Sequence, residues 1–191
     1  MKKSLGVHPY LFPMPVLMIA TYDENGTVNV MNMAWGGICE ENQVALNISP
    51  GHKTAKNLKA KGAFTISIAN AAHVAQADFF GIASGNKMAD KFERSGLHAI
   101  KSERVDAPVI TEFPITLECK VIKTETEDDC NRVVGEILNV LAEEGVLDES
   151  GKVDPMKVNA LVFDPFQHGY YTIGEKAGQA WQSGKGLMEE K

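Results

Sequence analysis

The pattern of apolar and polar positions predicts strands in the first part of the chain. An apolar run over residues 16–21 has the character of a buried strand. Residues 23–26, Asp-Glu-Asn-Gly, then have the composition of a hairpin turn. Asn25 and Gly26 suit the two central positions of such a turn, which both take positive φ. We therefore predict a hairpin whose second strand covers residues 27–31.

A short amphipathic helix is predicted over residues 53–60. Ala55 and Leu58 fall on one side, the lysines occupy the other side, and Gly62 ends the helix. The remaining elements indicated by the pattern are strands over residues 43–49, 63–69 and 115–121 and helices over residues 71–80 and 86–94, the last ended by Gly96.

Residues 132–141 carry two conflicting signals. Val133, Ile137 and Leu141 recur at helical spacing, whereas Gly135 and the β-branched content favour a strand. Periodicity alone predicts a helix. Many strands with two or three short helices indicate a mainly β, barrel-based α+β fold. No linker divides the chain, so we expect a single domain over residues 1–191.

The composition narrows the class of protein. The 191 residues carry a formal net charge of −6 and contain no basic run, unlike a nucleic-acid-binding protein. The longest apolar stretch, residues 16–20, is too short to cross a membrane. Pro9, Pro13 and Pro15 interrupt any signal segment after the basic start. We therefore predict a cytoplasmic protein that binds neither nucleic acid nor membrane.

Standard catalytic and metal-binding motifs are missing from the sequence. Cys39, Cys119 and Cys130 are an odd set without metal-ligand spacing and are expected to be reduced thiols. The histidines are scattered, so we predict no metal site. The sequence has neither a Gly-x-Gly-x-x-Gly dinucleotide motif nor a correctly spaced P-loop, and it has no nucleophile elbow. No side chain is predicted to be catalytic.

Three clusters remain as candidates for ligand binding. Residues 49–54, Ser-Pro-Gly-His-Lys-Thr, precede a helix, where free N–H groups favour an anion such as phosphate. A capped helix with solvated lysines is the alternative for this segment. Residues 29–39 combine two asparagines, Asn29 and Asn32, with Trp35 and paired glycines, which suits a flat aromatic ligand or, alternatively, an edge strand with a packed tryptophan. Residues 83–92 place lysines in an early helical turn, which indicates an anionic neighbour or simply solvated side chains.

These clusters, taken in order, resemble the flavoredoxin family within the flavin reductase-like, FMN-binding split barrels. The most specific piece is the run Ala-Trp-Gly-Gly-Ile-Cys at residues 34–39. The resemblance covers roughly the whole chain. Its other segments are residues 1–6, 15–16, 21–23, 29–31, 83–85, 90–92, 105–108, 112–114, 170–171 and 173–174.

The resemblance implies a fold and an assembly that the residue pattern does not establish. It implies a six-stranded antiparallel split β-barrel with short flanking helices. It also implies a homodimer that binds FMN at or near the subunit interface. Residues 132–141 would then form a long strand with a bulge at Gly135, which reverses the prediction from periodicity.

The resemblance also implies the FMN-binding residues. Asn29, Met31, Asn32, Ala34 and Trp35 would line the isoalloxazine ring, with Asn47, Ile48 and Ser49 continuing that wall. Lys53 and Thr54 would hold the phosphate, Ser84, Gly85 and Lys91 would close the pocket, and Phe166 would contact the ring. Relatives often have arginine where this chain has His52-Lys53. Lysine lacks the bidentate fork of arginine, so looser FMN binding is expected.

Three functions are compatible with the resemblance. The first is an FMN flavoprotein of flavoredoxin type that exchanges electrons with a redox partner protein. The second is an NAD(P)H:flavin oxidoreductase that uses FMN as prosthetic group or substrate. The third is a non-enzymatic binding module on the same barrel. In the first two, the flavin carries out the redox chemistry, which explains the absence of a catalytic constellation.

Overall fold

Seven antiparallel strands form the main sheet in a computed structural model, which describes residues 1–127 and 129–188. The strands of the protein are β1 (Met14–Pro15), β2 (Leu17–Tyr22), β3 (Val28–Met33), β4 (Gly36–Glu40), β5 (Gln43–Ile48), β6 (Ala63–Ile68), β7 (Ala99–Lys101), β8 (Pro108–Ile110), β9 (Ile115–Glu127), β10 (Cys130–Ala142), β11 (Leu161–Asp164) and β12 (Gly169–Thr172). The helices are α1 (Lys53–Lys61), α2 (Val74–Ile82), α3 (Lys91–Arg94) and α4 (Pro155–Val158), and 3-10 turns lie at Ala71–His73, Glu144–Val146 and Lys185–Leu187. The main sheet has the order β3-β2-β6-β9-β10-β5-β4, β1 pairs with β11 and β12, and β7 pairs with β8.

The main sheet is curled so that its two edges approach each other. Its edge strands β3 and β4 are separated in sequence only by Ala34 and Trp35. Three Cα–Cα steps span at most about 11 Å, whereas a flat sheet of this width would hold its edges roughly 29 Å apart. The N–H of Asn47 donates to the carbonyl of Trp35 at 2.9 Å, which continues the β4–β5 pairing back into this two-residue connection. The short connection therefore requires a half-barrel.

The predicted strand number of six is wrong, because the sheet has seven strands. The hydrophobic pattern does not reveal β4, since its two glycines give no apolar signal. A Cβ added to Gly36 would lie 3.0 Å from Cδ2 of Leu46 and 3.2 Å from Cδ1 of Leu17. Glycine therefore allows β4 to lie directly against the neighbouring side chains.

Two hydrophobic clusters lie on opposite faces of the sheet. Met18 and Ala20 of β2 belong to an outer cluster that includes Phe80 of α2. Ile19, the residue between them, belongs to the barrel interior together with Phe64 of β6. Because both faces of β2 are buried, its sequence is continuously apolar instead of alternating.

The helix predicted from periodicity over residues 132–141 is wrong, and the strand implied by the family resemblance is confirmed as β10. The pairing of β10 with β9 shifts register between Val134 and Gly135 and again between Ile137 and Asn139. The first shift leaves Ile122 of β9 as the extra residue, and the second leaves Leu138 of β10. The bulge implied at Gly135 therefore lies on the partner strand β9, whereas Leu138 breaks the two-residue alternation within β10 itself.

The hairpin between β2 and β3 forms as predicted, but its turn has different geometry. Of Asn25 and Gly26, only Gly26 has positive φ, at 82°. The N–H of Gly26 donates to the carbonyl of Asp23 at 3.1 Å. The N–H of Asp23 donates to the carbonyl of Thr27 at 2.9 Å. This bonding is typical of a type I turn followed by a glycine bulge, which needs only one left-handed residue.

The predicted helices differ in how well they agree with the structure. The first is confirmed as α1, and Gly62 ends it with φ of 63°. The second begins as the 3-10 turn and continues as α2. The third is confined to α3, because residues 85–87 and 89–90 form turns instead, where the side chain of Asn86 donates to the carbonyl of Gly51 at 2.9 Å. In the described part of the chain, no helix has the length and apolar character needed to span a membrane.

Candidate functional site

A cavity of about 280 Å³ lies between β3, the start of α1 and the segment that follows α2. Its lining consists of Asn29, Met31, Asn32, His52, Lys53, Thr54, Phe80, Gly81, Ile82, Ala83, Ser84, Gly85 and Lys91. A smaller cavity of about 130 Å³ adjoins it and shares Asn29, Lys53, Gly85 and Lys91. The shared wall therefore carries two cationic side chains.

The N-terminus of α1 faces this cavity. The N-cap residue His52 makes no side-chain capping hydrogen bond, and the first turn contains no acidic residue. The first N–H groups of a helix lack intrahelical partners and carry partial positive charge. Lys53 and Thr54 add an ammonium and a hydroxyl group at the same place. This end of the cavity is therefore suited to an anion.

Buried hydrogen bonds fix the polar wall of the cavity. Asn29 is only 6% exposed, and its Nδ2 donates to Oγ1 of Thr54 at 2.9 Å. Thr54 is 1% exposed, and its hydroxyl hydrogen has no acceptor among the described residues. Behind it, Nδ2 of Asn57 donates to Oγ1 of Thr21 at 2.9 Å. The hydroxyl of Thr54 is therefore held in place and still able to donate to a ligand.

Gly85 allows the chain to pass close to this wall. A Cβ at this position would overlap Oδ1 of Asn29 and would lie 3.3 Å from Cγ of Lys53. A side chain at residue 85 would therefore displace both residues that shape the cavity.

Lys91 is a buried cation beside the cavity. It is 4% exposed, and its Nζ donates to the carbonyl of Phe80 at 3.0 Å near the C-terminus of α2. No carboxylate among the described residues forms an ion pair with it. Burial lowers the pKa of Lys91 to about 8. An anion in the cavity would supply the counter-charge that the protein does not provide.

Lys53 differs from Lys91 because it has an internal counter-ion. Its Nζ lies 3.0 Å from Oδ2 of Asp23, which lines the smaller cavity. The two lysines therefore offer an anion different environments within one connected site.

The structure brings together some of the sequence-predicted site residues. Those lining the main cavity are Asn29, Met31, Asn32, Lys53, Thr54, Ser84, Gly85 and Lys91. Nδ2 of Asn32 is already used, donating to the carbonyl of Ala77 at 2.9 Å and to the hydroxyl of Tyr170 at 3.2 Å. The role of these residues in FMN binding stays a prediction.

The other predicted residues lie elsewhere. Ile48 packs inside the barrel, and Asn47 and Ser49 are exposed at the end of β5. Trp35 lines a separate surface hollow that includes Tyr10, and Phe166 packs edge-on against the same Tyr10 with ring centroids 5.0 Å apart. Ala34 lies in the connection before β4. None of these residues lines the main cavity.

Several cavity residues were not among the predicted FMN-binding residues. Phe80, Gly81 and Ile82 lie outside all three candidate clusters, whereas His52 and Ala83 fall within the clusters at residues 49–54 and 83–92. A Cβ at Gly81 would lie 3.5 Å from Cβ of Asn32, which is ordinary contact, so the protein itself leaves room for a side chain there. Gly81 and Gly85, which lie on either side of residues 82–84, were the available signal for a close approach of the backbone to a ligand.

Other types of site are not formed by the described residues. No group of three or more His, Cys, Asp or Glu side chains could hold a metal ion within residues 1–127 and 129–188. The three cysteines are unpaired. Burial, with a smaller contribution from Glu118, raises the pKa of Cys119 to about 12, so this thiol is not activated.

Comparison with known proteins identifies the family. Residues 10–171 match the model of the flavin reductase like domain. The flavoredoxin of Desulfovibrio vulgaris (Miyazaki F) is 37% identical and superimposes with a TM-score of 0.92 over 96% of this chain and 100% of its own. The flavoredoxin of Methanosarcina acetivorans is 27% identical, with a TM-score of 0.87 over 98% of each chain.

A similarity in sequence extends to an uncharacterised protein of Archaeoglobus fulgidus. It is 30% identical over 133 residues, which cover 69% of this chain and 73% of the relative. The family model covers most of the chain, and the solved flavoredoxins share its fold over nearly its whole length. The protein therefore belongs to the flavin reductase like domain family.

Proposed function

We propose that this protein is an FMN-binding flavoprotein of flavoredoxin type that transfers electrons through its bound flavin. The observation that carries the proposal is the cavity at the N-terminus of α1, where Lys53, Lys91 and the hydroxyl of Thr54 converge. Membership of the flavin reductase like domain family supports a flavin as the ligand. FMN fits this arrangement because it joins a flat ring system to a terminal phosphate.

The phosphate end of the cofactor would bind at the start of α1. The free N–H groups of the first helical turn and the hydroxyl of Thr54 would donate hydrogen bonds to it. Asn29 would hold Thr54 in position from behind. Lys53 would contribute a positive charge from the cavity wall.

The remaining residues would orient the ring and exclude water. Met31 and Ile82 offer apolar surface in the same cavity, and Gly85 keeps the adjoining backbone close. A bound flavin would supply the reversible electron transfer, and these residues would position it. The ammonium of Lys91 would stabilise negative charge in the cavity, which favours the more anionic form of a bound ligand.

The direct test of this function is the visible absorption spectrum of the purified protein. The chromophore released by denaturation is then identified by chromatography. A flavin spectrum that yields FMN would support the proposal. Protein that stays colourless after incubation with FMN and gel filtration would argue against a cofactor-retaining carrier.

Replacing Lys53 or Thr54 with alanine should weaken FMN binding by about 1–3 kcal/mol, because each removes a charge-assisted hydrogen bond. Titration of the apoprotein with FMN, followed by flavin fluorescence, measures the change. Lys59→Ala is the matched control, since Lys59 is exposed on the same helix and lies outside both cavities. Equal affinities for all three variants would remove Lys53 and Thr54 from the site.

A turnover assay separates the carrier from the reductase. Retained FMN with slow NADH or NADPH oxidation is the result expected for a protein that exchanges electrons with a redox partner. Fast oxidation that depends on added free flavin would instead favour the NAD(P)H:flavin oxidoreductase. A protein that binds no flavin would favour the binding module.

We further propose that the chain acts as a single-domain homodimer in the cytoplasm. Large apolar side chains are exposed, including Trp35 at 52%, Ile38 on the edge strand β4, and Tyr171. Exposed apolar surface of this kind favours association with another protein surface. Light scattering after gel filtration measures the mass, and a monomer at micromolar concentration would contradict the dimer.

A further inference from the structure

Asp23, in the turn between β2 and β3, places its carboxylate beside the proposed phosphate site. Oδ1 of Asp23 accepts hydrogen bonds of 2.9 Å from the N–H groups of Asn25 and Thr27. Oδ2 points the other way and accepts from Nζ of Lys53 at 3.0 Å. The two oxygens therefore have separate tasks, since one closes the turn and the other contacts the cavity lysine.

The turn holds Asp23 in place independently of Lys53. Asp23 is 7% exposed and lines the smaller cavity together with Lys91. Burial opposes its ionisation, but the N–H of Thr27, the ammonium of Lys53 and the N–H of Asn25 together hold the pKa of Asp23 below its usual value. The side chain consequently stays charged at neutral pH. Its charge is poorly screened by salt, because it is buried.

We propose that Asp23 is an internal competitor of the flavin phosphate for Lys53 and thereby limits the affinity of the site for FMN. This inference rests on the proposed function. A phosphate that approaches Lys53 must share its ammonium with a fixed carboxylate and is repelled by that carboxylate. The three N–H donors of the Lys53 ammonium extend from a single nitrogen, so the contact with the carboxylate leaves fewer of them for the phosphate.

The consequence for function is readily exchangeable FMN. The Lys53–Asp23 ion pair replaces the Lys53–phosphate contact when the ligand leaves, so Lys53 is never left without a counter-ion. The ion pair that re-forms lowers the free-energy barrier to FMN release. It also lowers the net free energy gained when FMN binds. Asp23 therefore positions Lys53 and sets the lifetime of the complex without touching the flavin ring.

The sharpest test replaces Asp23 with asparagine. In Asp23→Asn the amide oxygen can keep both turn hydrogen bonds, while the amide nitrogen removes the charge and the acceptor of Lys53. FMN is expected to bind about ten-fold more tightly and to dissociate more slowly, as estimated for removing one nearby like charge. Riboflavin, which lacks the phosphate, should bind both proteins equally. Glu24→Gln is the matched control, because it removes an exposed carboxylate from the same turn.

The outcomes separate this inference from the proposed function. Unchanged or weaker FMN binding by a folded Asp23→Asn variant overturns the inference, as does an equal gain for riboflavin or for Glu24→Gln. If neither protein binds any flavin, the proposed function fails. Titration with inorganic phosphate alone then decides the inference, since tighter phosphate binding by Asp23→Asn upholds the competition and equal binding rejects it.

Discussion

Replacing Lys91 with methionine is expected to weaken FMN binding at pH 7 by roughly ten- to a hundred-fold. Methionine keeps most of the length and apolar character of the side chain and removes the ammonium. Because Lys91 has no carboxylate partner among the described residues, its charge is available to an anionic ligand. Fluorescence titration of the two apoproteins with FMN measures the difference.

The same variant should remove a pH dependence from FMN binding. In the wild-type apoprotein the pKa of Lys91 is lowered to about 8, so the ammonium is lost as the pH rises through that value. An anionic ligand favours the protonated form, so affinity should be highest below pH 8 and fall above it. The phosphate is already fully ionised in this range, since its second pKa is about 6. The Lys91→Met variant should show a flat profile between about pH 7.5 and 9.

Stability should change with pH in the opposite direction. Folding lowers the pKa of Lys91 from 10.5 to about 8, so the unfolded chain binds more protons between those values. Below pH 8 the buried charge lowers the unfolding free energy by its full amount. As the pH rises from 8 towards 10.5, the unfolding free energy should therefore increase by roughly 3 kcal/mol. Comparing the unfolding free energy of wild type and Lys91→Met at several pH values isolates this contribution.

Lys87→Met is the control for the FMN affinity and for its pH dependence, because Lys87 is exposed and lies outside both cavities. It should leave the affinity and its pH profile unchanged. A Lys91→Met variant with the wild-type affinity and pH profile would show that Lys91 serves only to bind the carbonyl of Phe80.

Replacing Gly135 with alanine is expected to lower the unfolding free energy by about 2–3 kcal/mol, the upper part of the range for overpacking. A Cβ at residue 135 would lie 2.7 Å from Cε1 of Phe64, whose ring is fully buried in the barrel. The backbone cannot retreat, because β10 is paired with β5 on one side and with β9 on the other. Urea denaturation measures the loss.

Gly37→Ala is the matched control for this prediction. Gly37 is also a strand glycine, but nothing lies within 4 Å of its added Cβ. It should change the unfolding free energy by less than about 0.5 kcal/mol. Adding Phe64→Leu to Gly135→Ala should recover part of the loss. Equal effects at the two glycines would mean that backbone freedom, and not the packing of Phe64, requires glycine in β10.

Local signals in the sequence were enough for the elements that depend on neighbouring residues. The hairpin around Gly26 and the end of α1 at Gly62 follow from the backbone freedom of glycine, which acts within one turn. The apolar run of β2 likewise indicates burial on both faces. In contrast, the prediction from periodicity for β10 was wrong because the register shifts between β9 and β10 depend on how the two strands are aligned. That alignment is not encoded within ten residues of chain.

In the candidate site, too, local features could be predicted from the sequence and contacts between distant segments could not. The segment before α1 was recognisable as an anion site because the geometry of a helix N-terminus is local. Asp23 was assigned only to the turn, because its Oδ2 meets Lys53 across 30 residues of sequence. Trp35 carried the strongest motif, yet it lies at a separate hollow beside Tyr10. The sequence could not place it, because the curl of the sheet decides which surface each residue of the β3–β4 connection faces.

The sequence by itself determined the strand-rich class, the short helix that presents Lys53 and Thr54, and the resemblance to the flavoredoxin family. Each depends on contacts within a few residues or on a motif that can be read directly. Only the tertiary structure decided the seventh strand, the burial of Lys91 and its lowered pKa, and the pairing of Asp23 with Lys53. These features arise where distant segments meet, since burial and the field of neighbouring charges exist only after the chain has folded.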